Sequence, residues 1–598
     1  MPELSPYEGT TRKLVLAFDV GTTFSGISYC ILDPGQIPEP KGVTKFPSQD
    51  HVNGSCKIPS VIYYGEDGKV RAIGAETLAE GVYERAEEEG WTKTEWFKMH
   101  LRPRAIRDKD NPLNSLPPLP VDKTAIQVLG DYLKYLLACS KSYIEETQPD
   151  GEDFWKSVKQ KIQFVLSHPN GWEGLQQSQM RKAAVLGGLI PNSHAGQRRI
   201  SFVTEGEASL HFAIHHGLPK GVSEGEDGVI IVDAGGGTID ITAYVRKPHT
   251  TKPVYEEIAP EKCYLHGSIC VSENLHTFLK GFLARSDFLA DIDHIVQCFD
   301  KGTKLRFRSG DEAQFIKFGG TRDNDANCNI RFGQLKLQGT DVATFFDPSI
   351  KCTVEAIKEI QDTSSTPVKH VVLVGGFAAS DWLHQSIRKA VSPHGLTVLR
   401  PDYHVNKAVS DGAISFFLCR NVQARVSKMT LGVRAITLYE EDKPSHAKRS
   451  TEKLENKNGE MTLDYFFDPI LQKVGEKITQ TREVRQSYCR SYDTKDELAQ
   501  PITIKLHGYQ GPSTDHSDLW MDGNNVGDEF PLVGSIEVDL SHLKNTPTLQ
   551  TKEGPKGTYY QIACSVVLLL GDVELKVQAA WEEDGEEKRS DAQILYIG

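Results

Sequence analysis

The sequence has no apolar run long enough to cross a bilayer; the strongest, Val566 to Leu570, is the size of a strand. Among its 11 cysteines there is no C-x-x-C pair, and thiols such as Cys30 and Cys564 lie inside apolar segments. That usage belongs to a reducing compartment, the cytoplasm or nucleus, and not to a secreted disulfide scaffold. A basic excess is also missing. Lys and Arg number 68 against 81 Asp and Glu, a net charge of −13, which argues against nucleic acid as the partner. Met1 to Ser5 carry no apolar core and do not read as a secretory signal, so the pattern Asn53-Gly54-Ser55 has no weight as a glycosylation site. Histidines such as His215-His216 have no Cys or carboxylate at metal-ligand spacing, and neither Ser60 nor Ser209 sits in a nucleophile elbow. Lys448-Arg449 reads as a solvated loop.

What is present is ordinary globular composition, 25% charged and 39% hydrophobic, over 598 residues, enough for several cores. Residues 1–12 form a loose polar tail. Leu14 to Phe18 reads as a strand that breaks at Asp19-Val20-Gly21-Thr22-Thr23 and continues into an alternating strand, Gly26 to Leu32. The apolar spacing predicts a helix from Thr124 to Glu146, a buried strand over Ile162 to Leu166, and an amphipathic helix from Gly171 to Leu189. The strand–turn–strand pattern then returns: Val229 to Val232, Asp233-Ala234-Gly235-Gly236-Gly237-Thr238, and Ile239 to Val245. Further helices are expected over Asn274 to Ala284 and Pro348 to Gln361. A third buried strand, His370 to Val374, runs into Gly375-Gly376 and a helix through Ala390. From Arg425 onward short alternating runs separated by Gly, Asp, Asn and Pro dominate, which marks residues 425–598 as a separate antiparallel β domain. Tyr465, Phe466 and Phe467 read as its core.

The two turns share a chemistry. A buried strand delivers a carboxylate at its carboxyl end, glycine lets backbone N–H groups approach an anion, and threonine adds a hydroxyl donor. An Asp so placed can hold a hydrated Mg²⁺. One such turn is as well read as a plain hairpin. Two of them with a strand–Gly-Gly–helix element are the parts of a clamp around a nucleotide's phosphates.

On these motifs the chain resembles the actin-like ATPase superfamily, and within it the 70-kilodalton heat-shock family. Phe18 to Gly26 is similar to the first phosphate loop, Val232 to Asp240 to the second, and Leu373 to Phe377 to the adenosine loop. Leu166-Ser167-His168-Pro169, Glu205-Gly206-Glu207-Ala208 and Pro469 to Ile478 also match family elements. Gly376-Phe377-Ala378 and Phe299-Asp300-x-x-x-Lys304 look like the divergent branch found in fungi and as "member 12" in animals. The resemblance implies an α/β fold: a duplicated actin-like ATPase (ribonuclease H-like) domain of two lobes over 13–424, then a β-sandwich-like, substrate-binding-like domain over 425–598. It implies ATP or ADP with Mg²⁺ as cofactors, weak ATP hydrolysis, and a chaperone-like role on unfolded or extended polypeptide with nucleotide-exchange or co-chaperone proteins. Neither nucleic acid nor a membrane is expected as a partner.

The resemblance also implies roles. Asp19 and Asp233 would hold Mg²⁺ through water, and Asp240 or Glu205 would orient the attacking water. Gly21, Thr22, Thr23, Phe24, Gly235, Gly236, Gly237 and Thr238 would bind phosphates. Lys98 would meet the γ-phosphate, the alternative being an exposed helix lysine. Asp300 and Lys304 would approach ribose and adenine, the alternative being a surface ion pair. Gly375, Gly376 and Phe377 would border the adenosine. The chain departs from the pattern in four ways. Ala378-Ala379-Ser380 stands where the family has an Arg, which predicts weaker adenine stacking. Glu207 replaces a Thr. Polar Arg425 to Lys428 replaces an apolar linker, and a helical lid is not expected after the last strand. These departures keep a second reading open, a nucleotide-gated adaptor with little hydrolysis. A small-metabolite kinase of the same superfamily is a third, disfavoured by the C-terminal β domain.

Overall fold

The apolar octapeptide Lys13–Val20 forms strand β1, buried along nearly its whole length, as a strand covered on both faces requires. In this computed structural model the described residues are 4–48, 56–103, 116–172, 174–248, 253–401, 405–426, 429–471, 477–479, 483–513, 515, 518–522, 526, 529–569, 576–583, 585–590 and 593–594. Residues 49–55, 111–115 and 427–428 lie outside them; they contain the pattern Asn53-Gly54-Ser55, part of the Pro-rich stretch Asn111 to Pro120 that reads as a loop, and part of the polar linker.

The chain is mixed α/β and divides into two compact units, residues 1–172 with 179–422, and residues 173–178 with 423–598. In the first unit β1 pairs antiparallel with β2 (Phe24–Leu32) and parallel with β4 (Gln163–His168), which pairs parallel with β5 (Ile200–Thr204). A short strand, β3 (Lys57–Pro59), lies on the other side of β2. Helix α1 (Ala125–Thr147) starts where its sequence says. Thr124 caps it, accepting from the Gln127 N–H, and Gln127 returns the bond to the Thr124 N–H. The same local pattern recurs downstream. Strand β6 (Gly228–Ala234) pairs antiparallel with β7 (Ile239–Arg246) and parallel with β9 (Val368–Val374), and β8 (Tyr255–Tyr264) continues from β7.

Helices α2 (Glu205–His216), α3 (Ser268–Phe282), α4 (Gly339–Thr363), α5 (Asp381–Val391) and α6 (Ala408–Cys419) complete what positions the site. Two expectations need correction. The helix expected over Gly171 to Leu189 covers only Leu175–Leu186. Helix α4 begins at Gly339, with Pro348 in its interior and not at its start. An interior proline costs about 3 kcal/mol. Burial of Val342, Phe345 and Phe346, at most 3% exposed, offsets it and holds the turns before the proline in the helix.

In the second unit two antiparallel sheets contribute to one buried cluster. Leu431, Ile470, Leu506 and Ile536 come from one sheet, and Ile562, Val566, Leu568 and Val577 from the other. The aromatic triplet divides. Phe467 is core, packed on Tyr509 and Phe530, whereas Tyr465 is 43% exposed beneath the Arg434 guanidinium. Arg449 is no solvated residue either: its guanidinium lies 4.4 Å from the centre of the Trp520 ring.

Candidate phosphate and adenosine site

Gly21 follows β1, and a Cβ there would stand 2.3 Å from the Phe24 carbonyl oxygen, so the turn closes only around a glycine. The Ser60 hydroxyl donates to the Gly21 carbonyl at 2.7 Å and bonds to Ser25 at 2.8 Å. The second turn closes through the Gly235 N–H, which donates to the Thr238 carbonyl at 2.9 Å. The two turns touch. A Cβ on Gly236 would stand 2.3 Å from Thr23 Oγ1, and one on Gly237 would stand 2.4 Å from Thr22 Oγ1. From below, the N–H groups of Gly267, Ser268 and Ile269 donate to the carbonyls of Gly237, Gly235 and Gly236 at 3.2, 3.0 and 2.9 Å. The start of α3 thus holds all three glycine carbonyls on one side. Among the described residues the N–H groups of Gly236 and Gly237 have no backbone partner. Such a turn offers donors to an anion.

Four carboxylates lie at these turns, each less than 9% exposed: Asp19, Glu205, Asp233 and Asp240. Asp19 accepts from Lys57 Nζ at 2.7 Å through Oδ2 and from Ser167 Oγ at 3.1 Å through Oδ1. Asp233 accepts from Ser209 Oγ at 2.8 Å. Glu205, the first residue of α2, accepts from Lys98 Nζ at 2.6 Å, and Asp240 accepts from the Asn170 N–H at 2.7 Å. Asp233 and Asp240 are direct partners across β6 and β7, an arrangement that sets like charges face to face. Burial, then the Glu205 charge, pushes Asp233 up to about 7. The same two causes hold Asp240 well above the usual carboxylate range. Burial raises Glu205 as well, against the pull of Lys98.

Among the described residues these four carboxylates pair with two ammoniums, Lys57 and Lys98. The deficit falls at Asp233 and Asp240, where the hard oxygen donors suit a hydrated Mg²⁺ held by one or two carboxylates and by phosphate. No group of three or more His, Cys, Asp or Glu side chains arranged to hold a metal occurs among the described residues. The buried pair Asp233 and Asp240 fits a metal that keeps most of its waters.

A pH dependence follows. Asp233 binds its proton more tightly folded, at about 7, than at its ordinary value of 3.8. Nucleotide-free protein is therefore expected to lose stability as pH rises from about 4 to about 7, because the folded state holds more protons in that window. Urea midpoints across this range should fall with pH, and Asp233→Asn should flatten the slope. An unchanged slope in that variant would contradict the assignment.

The third turn joins the same place. Gly375 has φ +92°, and a Cβ there would stand 2.3 Å from Asp233 Oδ1. Gly376 starts a short helical turn, Phe377–Ala379. The Phe377 ring is turned into the core and stacks on Phe346 at 6.1 Å, so the ring is spent on packing. Asp300 and Lys304 pair at 2.7 Å in and just after a π-helical turn, Phe299–Thr303, of the kind that gathers at functional sites. Lys304 is buried, and both bond to Ser272 of α3, at 2.6 Å from Asp300 and 3.0 Å from Lys304. This is more than a surface ion pair. The loop at 378–380 does not lack a guanidinium. Arg400 donates to the Ala378 carbonyl at 3.2 Å and to Asp381 at 3.0 Å, and Arg308 donates to Asp381 at 2.7 Å.

No protein-family model matches the chain. It is 23% identical to heat shock 70 kDa protein 12A of Mus musculus, over 96% of this chain and 90% of that one. It is also 23% identical to the Homo sapiens 12A protein, over 95% and 89%, and 22% identical to Homo sapiens heat shock 70 kDa protein 12B, over 82% and 80%. It is a divergent, member-12-like relative of the 70-kilodalton heat-shock family.

Thr22 and Thr23 meet Gly236 and Gly237, and Asp233 meets Asp240 and Gly375, whereas the family-like stretch Pro469 to Ile478 belongs to the second unit and its residues 472–476 lie outside the described ones. Lys98 is buried against Glu205, which rules out the exposed-lysine alternative. Phe24 is half exposed at the head of β2. Sequence reasoning missed Lys57, Ser167, Asn170, Ser209 and Arg400. Ser209 stands one helical turn after Glu205, a spacing that was readable. Its hydroxyl holds Asp233, and that of Ser60 holds the first turn.

Proposed function

We propose that residues 13–422 bind Mg-ATP at the three turns and hydrolyse it slowly, as a duplicated, two-lobed actin-like ATPase. The observation that carries this reading is the contact of Thr22 and Thr23 with Gly236 and Gly237 directly beside the buried pair Asp233 and Gly375. The recurrence of an antiparallel hairpin with a parallel neighbour in both sheets supports the duplication. The N–H groups and hydroxyls of the first two turns take the phosphates, and Lys98 adds a fixed positive charge. Bound Mg²⁺ supplies neutralisation of the phosphate charge. Gly375 admits the nucleotide backbone close to Asp233, and Arg400 or Arg308 offers a guanidinium face to the base.

Asp240 favours slow turnover. Burial and the Glu205 charge hold the Asp240 carboxyl well above its ordinary range, which disfavours the ionised form that would accept a proton from water. That supports the adaptor-like variant of this reading, in which binding outlasts hydrolysis. The second unit we read as a sandwich-like module for extended polypeptide. A calorimetric titration with ATP and Mg²⁺, followed by a single-turnover phosphate assay, tests the reading. One site of micromolar affinity with phosphate release far slower than nucleotide exchange is expected. Absence of binding would overturn it.

A further inference from the structure

The two hairpins carry different rows of side chains across their sheets. In the second sheet Asp233 faces Asp240 across β6 and β7, and Asp240 faces Cys263 across β7 and β8. That row holds two carboxyls and a thiol that burial and Asp240 keep neutral. In the first sheet Asp19 faces Gly26, and Gly26 faces Lys57. Residues in one row of an antiparallel sheet share a face. With strands about 4.8 Å apart, the Lys57 stem must cross the middle strand to reach Asp19. Gly26 makes that passage open: a Cβ there would already stand 3.4 Å from Lys57 Cε and 3.6 Å from Cγ. The ammonium arrives 2.7 Å from Asp19 Oδ2 with its side chain only 15% exposed.

We propose that Lys57 is a tethered cation that takes a metal ion's place at Asp19, so that a divalent cation at this site is held from the Asp233 row alone. Asp19 has one oxygen on an ammonium and the other on the Ser167 hydroxyl, whereas the Asp233 row contains no cation of its own. A lysine fixed in this way also presents its charge to the phosphates. The inference deepens the Mg-nucleotide reading and rests on it.

The test uses the full chain without nucleotide and follows free Mn²⁺ by electron paramagnetic resonance. Lys57→Met and Lys57→Gln uncover Asp19 and remove a positive charge within a few ångströms of the ion. Each should bind Mn²⁺ about tenfold or more tightly than the wild type. Lys57→Arg should match the wild type, and adding Asp19→Asn to Lys57→Met should return binding to the wild-type level. Equal Mn²⁺ binding by the wild type and both neutral variants would overturn the proposal. So would tight binding that survives Asp19→Asn. If the nucleotide reading alone fails, ATP gives no stabilisation while the manganese comparison is unchanged. If the tethered cation alone fails, that comparison is flat while ATP still stabilises.

Discussion

Replacing Asp233 by Ala should abolish the rise in melting temperature that Mg-ATP gives the wild-type chain. The residue links the second turn to the third. Its Oδ1 is where a Cβ at Gly375 would collide, its Oδ2 holds Ser209, and Asp240 faces it across the hairpin. A ligand at a hundred times its Kd adds about 2.7 kcal/mol to stability, which is the effect at stake. Misfolding does not explain the expected loss. A carboxyl raised to about 7 by burial and like charge opposes folding when ionised, so at pH 8 the ligand-free variant should melt no lower than the wild type. A scanning-fluorimetry series with and without Mg-ATP checks both halves. Full stabilisation retained in Asp233→Ala would remove the residue from the site.

The second large effect belongs to Lys98. Its ammonium meets Glu205 at 2.6 Å, with side chains 4% and 11% exposed. Removing one partner of a buried pair typically costs about 3–5 kcal/mol, because the other charge is stranded. Lys98→Ala should approach that figure at pH 8 and lose less at pH 5. Glu205 is already raised by burial, and without the lysine it rises further, so the folded state takes up a proton as pH falls. Glu205→Gln in the same chain should recover most of the loss. Denaturant melts at the two pH values decide it; a change within about 0.5 kcal/mol, as at an exposed lysine, would contradict the burial argument.

The turns were legible in the sequence because each is local. An apolar strand runs into glycines within ten residues, with a carboxylate between them at the first two turns, and the structure sets them as that order implies. What escaped lies far along the chain. Lys57 acts at Asp19 only because β3 docks beside β2 and Gly26 leaves its stem a path, a fact of register and not of spacing. Arg400 escaped for the same reason. The family pattern looks for an arginine beside the adenosine-loop glycines, and here the guanidinium comes from beyond α5 and ties the loop through Ala378 and Asp381. Helix α6 carries almost no amphipathic pattern because its residues from Ala408 to Phe416 are nearly all buried, so periodicity could not announce it. Pro348 misled because proline is a good start signal in isolation, and only the buried Phe345 and Phe346 before it show that the helix runs through.

The central claim is that three turns, each more than a hundred residues from the next, form one nucleotide site. Hydrogen–deuterium exchange of the full chain, with and without saturating Mg-ATP, tests it most directly. The N–H groups of Gly236 and Gly237 have no backbone partner among the described residues, so their exchange should be slowed on binding. Peptides covering 19–24, 234–238 and 375–377 are expected to gain protection together and at the same nucleotide concentration. Protection at one turn alone, or at none of the three while ATP is bound, would contradict the account.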